Sequence, residues 1–128
     1  MFDHDRATWR LGQLCSMRIE RKLTTVQIRV RGEFDMSCAK RFEDELDGAL
    51  EPETKARIVD LCDLQFMDTT GLRMLMTLAG TTSEDGIEYT VLCREEGAVR
   101  HVLRKTGLDG VLPVVSPFGP VPRSDSPV

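Results

Sequence analysis

Val59-Asp60-Leu61-Cys62-Asp63-Leu64-Gln65-Phe66-Met67-Asp68-Thr69-Thr70-Gly71-Leu72 is the stretch on which the fold turns. At its start the short apolar run Ile58-Val59, with Leu61, fits a buried central strand. At its end Leu72, Leu75, Met76 and Ala79 recur at helical spacing, which predicts a helix over 70–82 with Asp68 or Thr69 at the cap. Asp68-Thr69-Thr70-Gly71 therefore falls between a strand and a helix start, where free backbone N–H groups point outward and accommodate a phosphoryl group. Asp and Thr also serve as plain caps at most helix starts, and capping alone accounts for the residue types.

Upstream, residues 14–21 alternate, with Cys15, Met17 and Ile19 on one face and Ser16, Arg18 and Glu20 on the other. After Lys22-Leu23-Thr24 the alternation resumes with Val26, Ile28 and Val30, which predicts an opening antiparallel hairpin. Gly32-Glu33-Phe34-Asp35 breaks the strand, and Asp35 or Ser37 caps a helix with Ala39, Phe42, Leu46, Ala49 and Leu50 on one stripe. Its charged stripe, including Lys40, Arg41, Glu43 and Asp44, reads as a solvated face, and Pro52 ends the helix.

Downstream, Asp85-Gly86 signals a turn, and Ile87, Tyr89, Val91 and Cys93 alternate as a further strand. Glu95 and Glu96 in a first turn, Ala98, Val99, Val102 and Leu103 on one face, and Gly107 just beyond predict a third helix. Residues 111–115 offer a last short strand despite Pro113. The order β-β-α-β-α-β-α-β implies an α/β fold, a mixed sheet with helices packed on it through right-handed crossovers. One domain is expected over 14–115, with 1–13 as an N-terminal extension. Residues 116–128, rich in Pro and Ser, are expected to form a disordered tail.

A chain of 128 residues with 41% apolar content supports one core. Seventeen basic against twenty-one acidic residues give a net charge of −4, so neither nucleic acid nor an anionic membrane is an expected partner. No apolar run is long enough to cross a bilayer and the start lacks signal-peptide order, so a cytoplasmic location is expected. Cys15, Cys38, Cys62 and Cys93 form no Cys-x-x-Cys pair and read as reduced, structural residues, three of them in the core.

The quoted stretch resembles the signature of STAS domains, especially bacterial anti-sigma factor antagonists. Gly32-Glu33-Phe34-Asp35 resembles that family's Gly-Glu-hydrophobic-Asp turn, and Leu103-Arg104-Lys105-Thr106-Gly107-Leu108 resembles the end of its third helix. The resemblance implies a STAS fold and phosphorylation of the hydroxyl residue directly after the motif's Asp, which is Thr69 here. The family's commonest acceptor is serine. The resemblance further implies partner switching. The unphosphorylated protein binds an anti-sigma factor of histidine-kinase-like ATPase fold, which is also its kinase, and a phosphoprotein phosphatase resets the cycle. Asp35, Asp68, Thr69, Thr70 and Gly71 are the expected partner-binding residues. The functional alternative is a phosphorylation-independent STAS module of a transport or signalling complex.

Other chemistries fit less well. Asp-Thr-Thr-Gly departs from the Asp-Thr-Gly of aspartic proteases, and the opening hairpin departs from a response-regulator receiver. Asp60 and Asp63 do not converge as metal ligands, and reading them as solvated or hydrogen-bonded carboxylates suffices. His4 and His101 are expected at the surface, and Trp9 is expected to pack near an edge. No catalytic residue, metal site or cofactor is expected.

Overall fold

The computed structural model of the protein describes residues 6–49 and 52–117. His4, Leu50, the side chain of Trp9 and residues 118–128 of the expected tail lie outside the described residues.

Alternation in the first third of the chain produces β2 (Cys15–Lys22) and β3 (Thr25–Phe34), antiparallel from Cys15 opposite Gly32 to Lys22 opposite Thr25. Cys15, Met17, Ile19, Val26, Ile28 and Val30 are all buried, so the period-two pattern puts one face of this hairpin into the core. Residues placed in an extension supply a further strand, β1 (Arg6–Arg10), antiparallel to β2 from Arg6 opposite Glu20 to Arg10 opposite Ser16. It forms one edge of the sheet.

Gly32 does not end β3. The strand runs on to Phe34 with a bulge between Gly32 and Glu33, and its free side changes partner there. Before the bulge β3 lies parallel to β4 (Ala56–Asp60), and from Gly32 onward parallel to β5 (Leu64–Met67), a strand that the periodicity had not separated from β4. A glycine is required at the bulge. Its φ is +93°, and a Cβ there would stand 1.9 Å from the Leu14 carbonyl oxygen. On the far side β4 pairs in parallel with β6 (Glu88–Leu92), and β6 with β7 (Val114–Val115). The last strand is shorter than expected because a 3-10 turn occupies Leu108–Gly110 and leaves Val111 exposed.

Three α-helices complete the described residues: α1 (Met36–Ala49), α2 (Thr69–Glu84) and α3 (Ala98–Lys105). Phe42 and Leu46 of α1 and Leu72, Leu75 and Leu78 of α2 join the strand residues in one buried cluster. Phe34 and Phe42 meet edge to face with centroids 5.4 Å apart, worth about 0.5–1.5 kcal/mol beyond area burial. The stripe of α2 is corrected in one place, since Met76 faces outward and Met74 and Leu78 are buried instead. α3 starts later than the acidic pair suggested. Glu95 and Glu96 precede it, and Gly97, at φ +111°, occupies its N-cap position.

The opposite sheet face over β2 to β4 carries Arg18, Gln27 and Arg29, half-buried, around the buried Asp60. Asp60 Oδ2 accepts from Gln27 Nε2 and from Arg29 Nε, each at 3.3 Å, and Oδ1 accepts the Cys62 N–H at 2.9 Å. This carboxylate is therefore a hydrogen-bonded sheet residue. Cys15, Cys38 and Cys93 are buried and Cys62 is half-buried, all as free thiols. His101 is exposed, as are Lys40, Arg41, Glu43 and Asp44, with Lys40–Asp44 and Arg41–Glu45 paired along α1.

Candidate functional site

The bulge at Gly32 fixes the site, because it brings the ends of β3 and β5 level. Phe34 is the partner of Met67, and the Asp68 N–H donates to the Phe34 carbonyl at 3.2 Å. The next residue on each strand is an aspartate opening a helix: Asp35 opens α1 and Asp68 opens α2. Two helix N-termini and two carboxylates thus start from adjacent strand ends.

Asp68 Oδ1 accepts the backbone N–H of Thr70 at 2.9 Å and that of Gly71 at 3.3 Å, and its carbonyl accepts the Leu72 N–H at 3.2 Å. That is N-cap geometry, worth about 1 kcal/mol. Asp35 Oδ1 accepts the Ser37 hydroxyl at 2.6 Å and the Ser37 N–H at 2.9 Å. These two donors, the hydroxyl first, hold its carboxyl below the usual range. Cys38 Sγ contacts the Asp35 N–H at 3.2 Å and the Asp35 carbonyl at 3.1 Å. A cavity of about 390 Å³ adjoins this cap, lined among others by Leu14, Cys15, Glu33, Asp35 and Ser37.

The four residues from Asp68 to Gly71 differ in access. Asp68 and Thr70 are half-buried, Thr69 is exposed, and Gly71 is buried. A Cβ on Gly71 would lie 2.1 Å from Met67 Cγ and 3.3 Å from Phe34 Cδ1, so this glycine lets the first turn of α2 sit down on β5 and β3. Thr69 is the first residue of α2, and its neighbour Thr70 is turned roughly 100° about the axis.

Apolar side chains stand in the open near these polar groups. Leu14 is 63% exposed, Met36 76%, Phe66 45% and Met76 41%. Glu33 pairs with Phe66 and donates its N–H to the Leu14 carbonyl at 2.8 Å, so Leu14, Glu33 and Phe66 follow one another beside the strand ends. Met36 comes directly after Asp35, and Met76 lies two turns along α2 from Thr69. Exposed apolar groups around a polar centre suit a protein partner better than a small ligand. Periodicity could not single these residues out, because Phe66 lies in a strand without alternation and Met36 at the first position of a helix. Arg73 belongs to the same surface, four residues from Thr69 on the helix, a spacing visible in the sequence.

Among the described residues no group of three His, Cys, Asp or Glu side chains is placed to hold a metal ion. No described helix is long and apolar enough to cross a membrane.

Comparison with known proteins bears on the family and the fold. The family described as "Mlab, STAS domain" matches residues 17–115. Among solved structures, an anti-sigma factor antagonist from Mycobacterium paratuberculosis is similar with a TM-score of 0.66 and 25% identity, over 78% of this chain and 84% of that one. The anti-sigma factor antagonist SpoIIAA in its unphosphorylated form shares the fold, with a TM-score of 0.65 at 20% identity over 78% of this chain and 86% of that one. With the family matched over most of its length, and with the opening hairpin, mixed sheet and three helices in place, the chain belongs to the STAS domain family.

Proposed function

We propose that this STAS domain is a cytoplasmic anti-sigma factor antagonist that works by partner switching, with Thr69 as its phosphorylation site. The observation that carries the proposal is the exposure of Thr69 at the first position of α2, between the Asp68 cap and open solvent. Its partner is an anti-sigma factor of histidine-kinase-like ATPase fold. That partner docks on the strand ends through Asp35, Asp68, Thr69 and Thr70, with Gly71 shaping the surface from below. The γ-phosphoryl group of ATP passes to Thr69 Oγ1, the hydroxyl proton goes to a base on the kinase, and ADP leaves. A phosphatase returns the hydroxyl by hydrolysis, releasing inorganic phosphate. The domain itself performs no catalytic step.

Physical chemistry favours a switch at this position. A phosphothreonine brings nearly two negative charges at neutral pH beside two carboxylates at the centre of the docking surface. Acidic groups of a partner seated there lose solvent and face an added dianion, at a cost of several kcal/mol.

The test is incubation with the cognate kinase and ATP, site-resolved mass spectrometry, and an affinity comparison of the two forms. Phosphate is expected on Thr69 with weakened binding. Thr69→Ala keeps binding and loses phosphorylation, and Thr69→Glu weakens binding by roughly 1–3 kcal/mol. Phosphate on Thr70 alone, or equal affinity of the two forms, overturns the switch and leaves a phosphorylation-independent module of a transport or signalling complex.

A further inference from the structure

We propose that Arg73 is the phosphate clamp of the modified domain, its guanidinium folding back along α2 to hold a phosphoryl group on Thr69. The proposal rests on the assignment of Thr69 above and adds a positioning residue to it.

The charge pattern of α2 is the starting point. From Thr69 to Glu84 the helix carries Arg73 and Glu84 as its only charged side chains. An exposed arginine on a helix commonly has an acidic partner three or four residues away, but the neighbours of Arg73 at those distances are Thr69, Thr70, Met76 and Thr77. Among the described residues Arg73 makes no ion pair or hydrogen bond, whereas Arg29 is paired with Asp60, Arg41 with Glu45 and Arg104 with Glu95. Arginine is a good helix former, but no ion pair along α2 gives a reason for its charge at this place.

Geometry supplies one. Thr69 and Arg73 are both exposed, one turn apart on the same face. Helical side chains lean toward the N-terminus, so the long Arg73 side chain reaches back over the turn that begins at Thr69. A guanidinium matches two phosphate oxygens with parallel N–H donors. Two acidic groups stand by the start of α2: Asp68, directly before Thr69, and Asp35, at the adjacent strand end. A dianion on Thr69 is repelled from that side and drawn toward Arg73. The clamp thus fixes where the phosphate sits and withdraws a positive charge from the surface as the negative one is added.

The experiment uses the full chain with phosphothreonine installed at position 69 during translation, so that no kinase is needed. The readout is the pH titration of its phosphorus resonance at low salt. In the parent chain the second phosphate pKa is expected below that of the Arg73→Gln variant by roughly half a pH unit, with Arg73→Lys in between. A merely structural role for Arg73 would change thermal stability of the unmodified protein and leave this difference at zero. Equal phosphate pKa values in the parent and Arg73→Gln chains overturn the clamp. Should Arg73→Gln fail to fold, equality between the parent and Arg73→Lys chains at low salt overturns it instead. Failure of the kinase to modify Thr69 would sink the switch and leave this titration untouched, so the two failures are separable.

Discussion

Any L-residue other than glycine at position 71 puts a Cβ 2.1 Å from Met67 Cγ and 2.8 Å from its Sδ. Met67 is itself buried at the end of β5, so it has no open space to swing into. Two effects oppose one another in Gly71→Ala. Helix propensity favours alanine by about 1 kcal/mol, while overpacking costs about 1–3 kcal/mol, and an approach of 2.1 Å to a buried side chain belongs at the upper end. Gly71→Ala should therefore lower unfolding free energy in a denaturant titration by roughly 1–2 kcal/mol. A stabilised variant would mean that α2 stands further from β5. Asp68 separates capping from charge. Asp68→Ala should cost about 1 kcal/mol, whereas Asp68→Asn keeps the cap and nearly all the stability, so an affinity change in Asp68→Asn reports the carboxylate alone. Asp68 was legible in the sequence because a cap is a local event within four residues. The burial of Gly71 was not, because it depends on which strand end passes beneath the helix.

Among the elements, Gly32-Glu33-Phe34-Asp35 signals the end of β3 in sequence, and the structure carries the strand on to Phe34 through a bulge. Alternation identifies a strand, but a single bulge residue interrupts it in the same way that a turn does, and only the parallel partner shows which has happened. The same lack of a partner hid β5, whose four residues Leu64–Met67 show no alternation, with a burial pattern of ends in and middle out. The start of α3 differs from the sequence expectation for another reason. Glu95 and Glu96 satisfy the preference for acids near a helix start, yet Gly97 at φ +111° cannot lie inside the helix, and Glu95 instead meets Arg104 at 3.4 Å. Gly32 permits a direct test at this scale. An alanine there must hold a left-handed φ, at about 1–2 kcal/mol, and also displace the backbone carbonyl of Leu14, which is not a flexible group. Gly32→Ala is expected to lose at least about 2 kcal/mol and to loosen the neighbouring strand end, seen as faster amide exchange at Asp68, whose N–H bonds to Phe34. Unchanged exchange at Asp68 would show that the bulge and the site are independent.

For the molecule as a whole, one buried cluster joins the hairpin, β4, β6 and all three helices, and β1 pairs only with β2. A chain reduced to residues 14–115 should accordingly still unfold cooperatively, at a lower midpoint because the edge of β2 is bared, and loss of a cooperative thermal transition would place β1 inside the minimal domain. That core also dictates a response to alkali. Burial, with the neighbouring Cys38 thiol and Asp35 adding to it, pushes Cys15 up to about 12, and burial followed by Asp60 does the same for Cys62. Burial raises Cys38 and Cys93 as well. In the unfolded chain these thiols ionise near their ordinary value of 9.0. Between pH 9 and about 12 the unfolded state has therefore released protons that the folded state still holds, so stability falls as pH rises across that window and is unaffected by these groups below it. Denaturant midpoints should be level from pH 7 to 8.5 and decline by pH 10.5. The decline should be shallower in Cys15→Ala measured against its own neutral midpoint, because that variant has one fewer thiol for the unfolded chain to ionise. An identical slope in Cys15→Ala and the parent chain would show that Cys15 is not held protonated by the core, and would assign the alkaline loss to the remaining thiols and the half-buried Tyr89, whose hydroxyl is raised by desolvation.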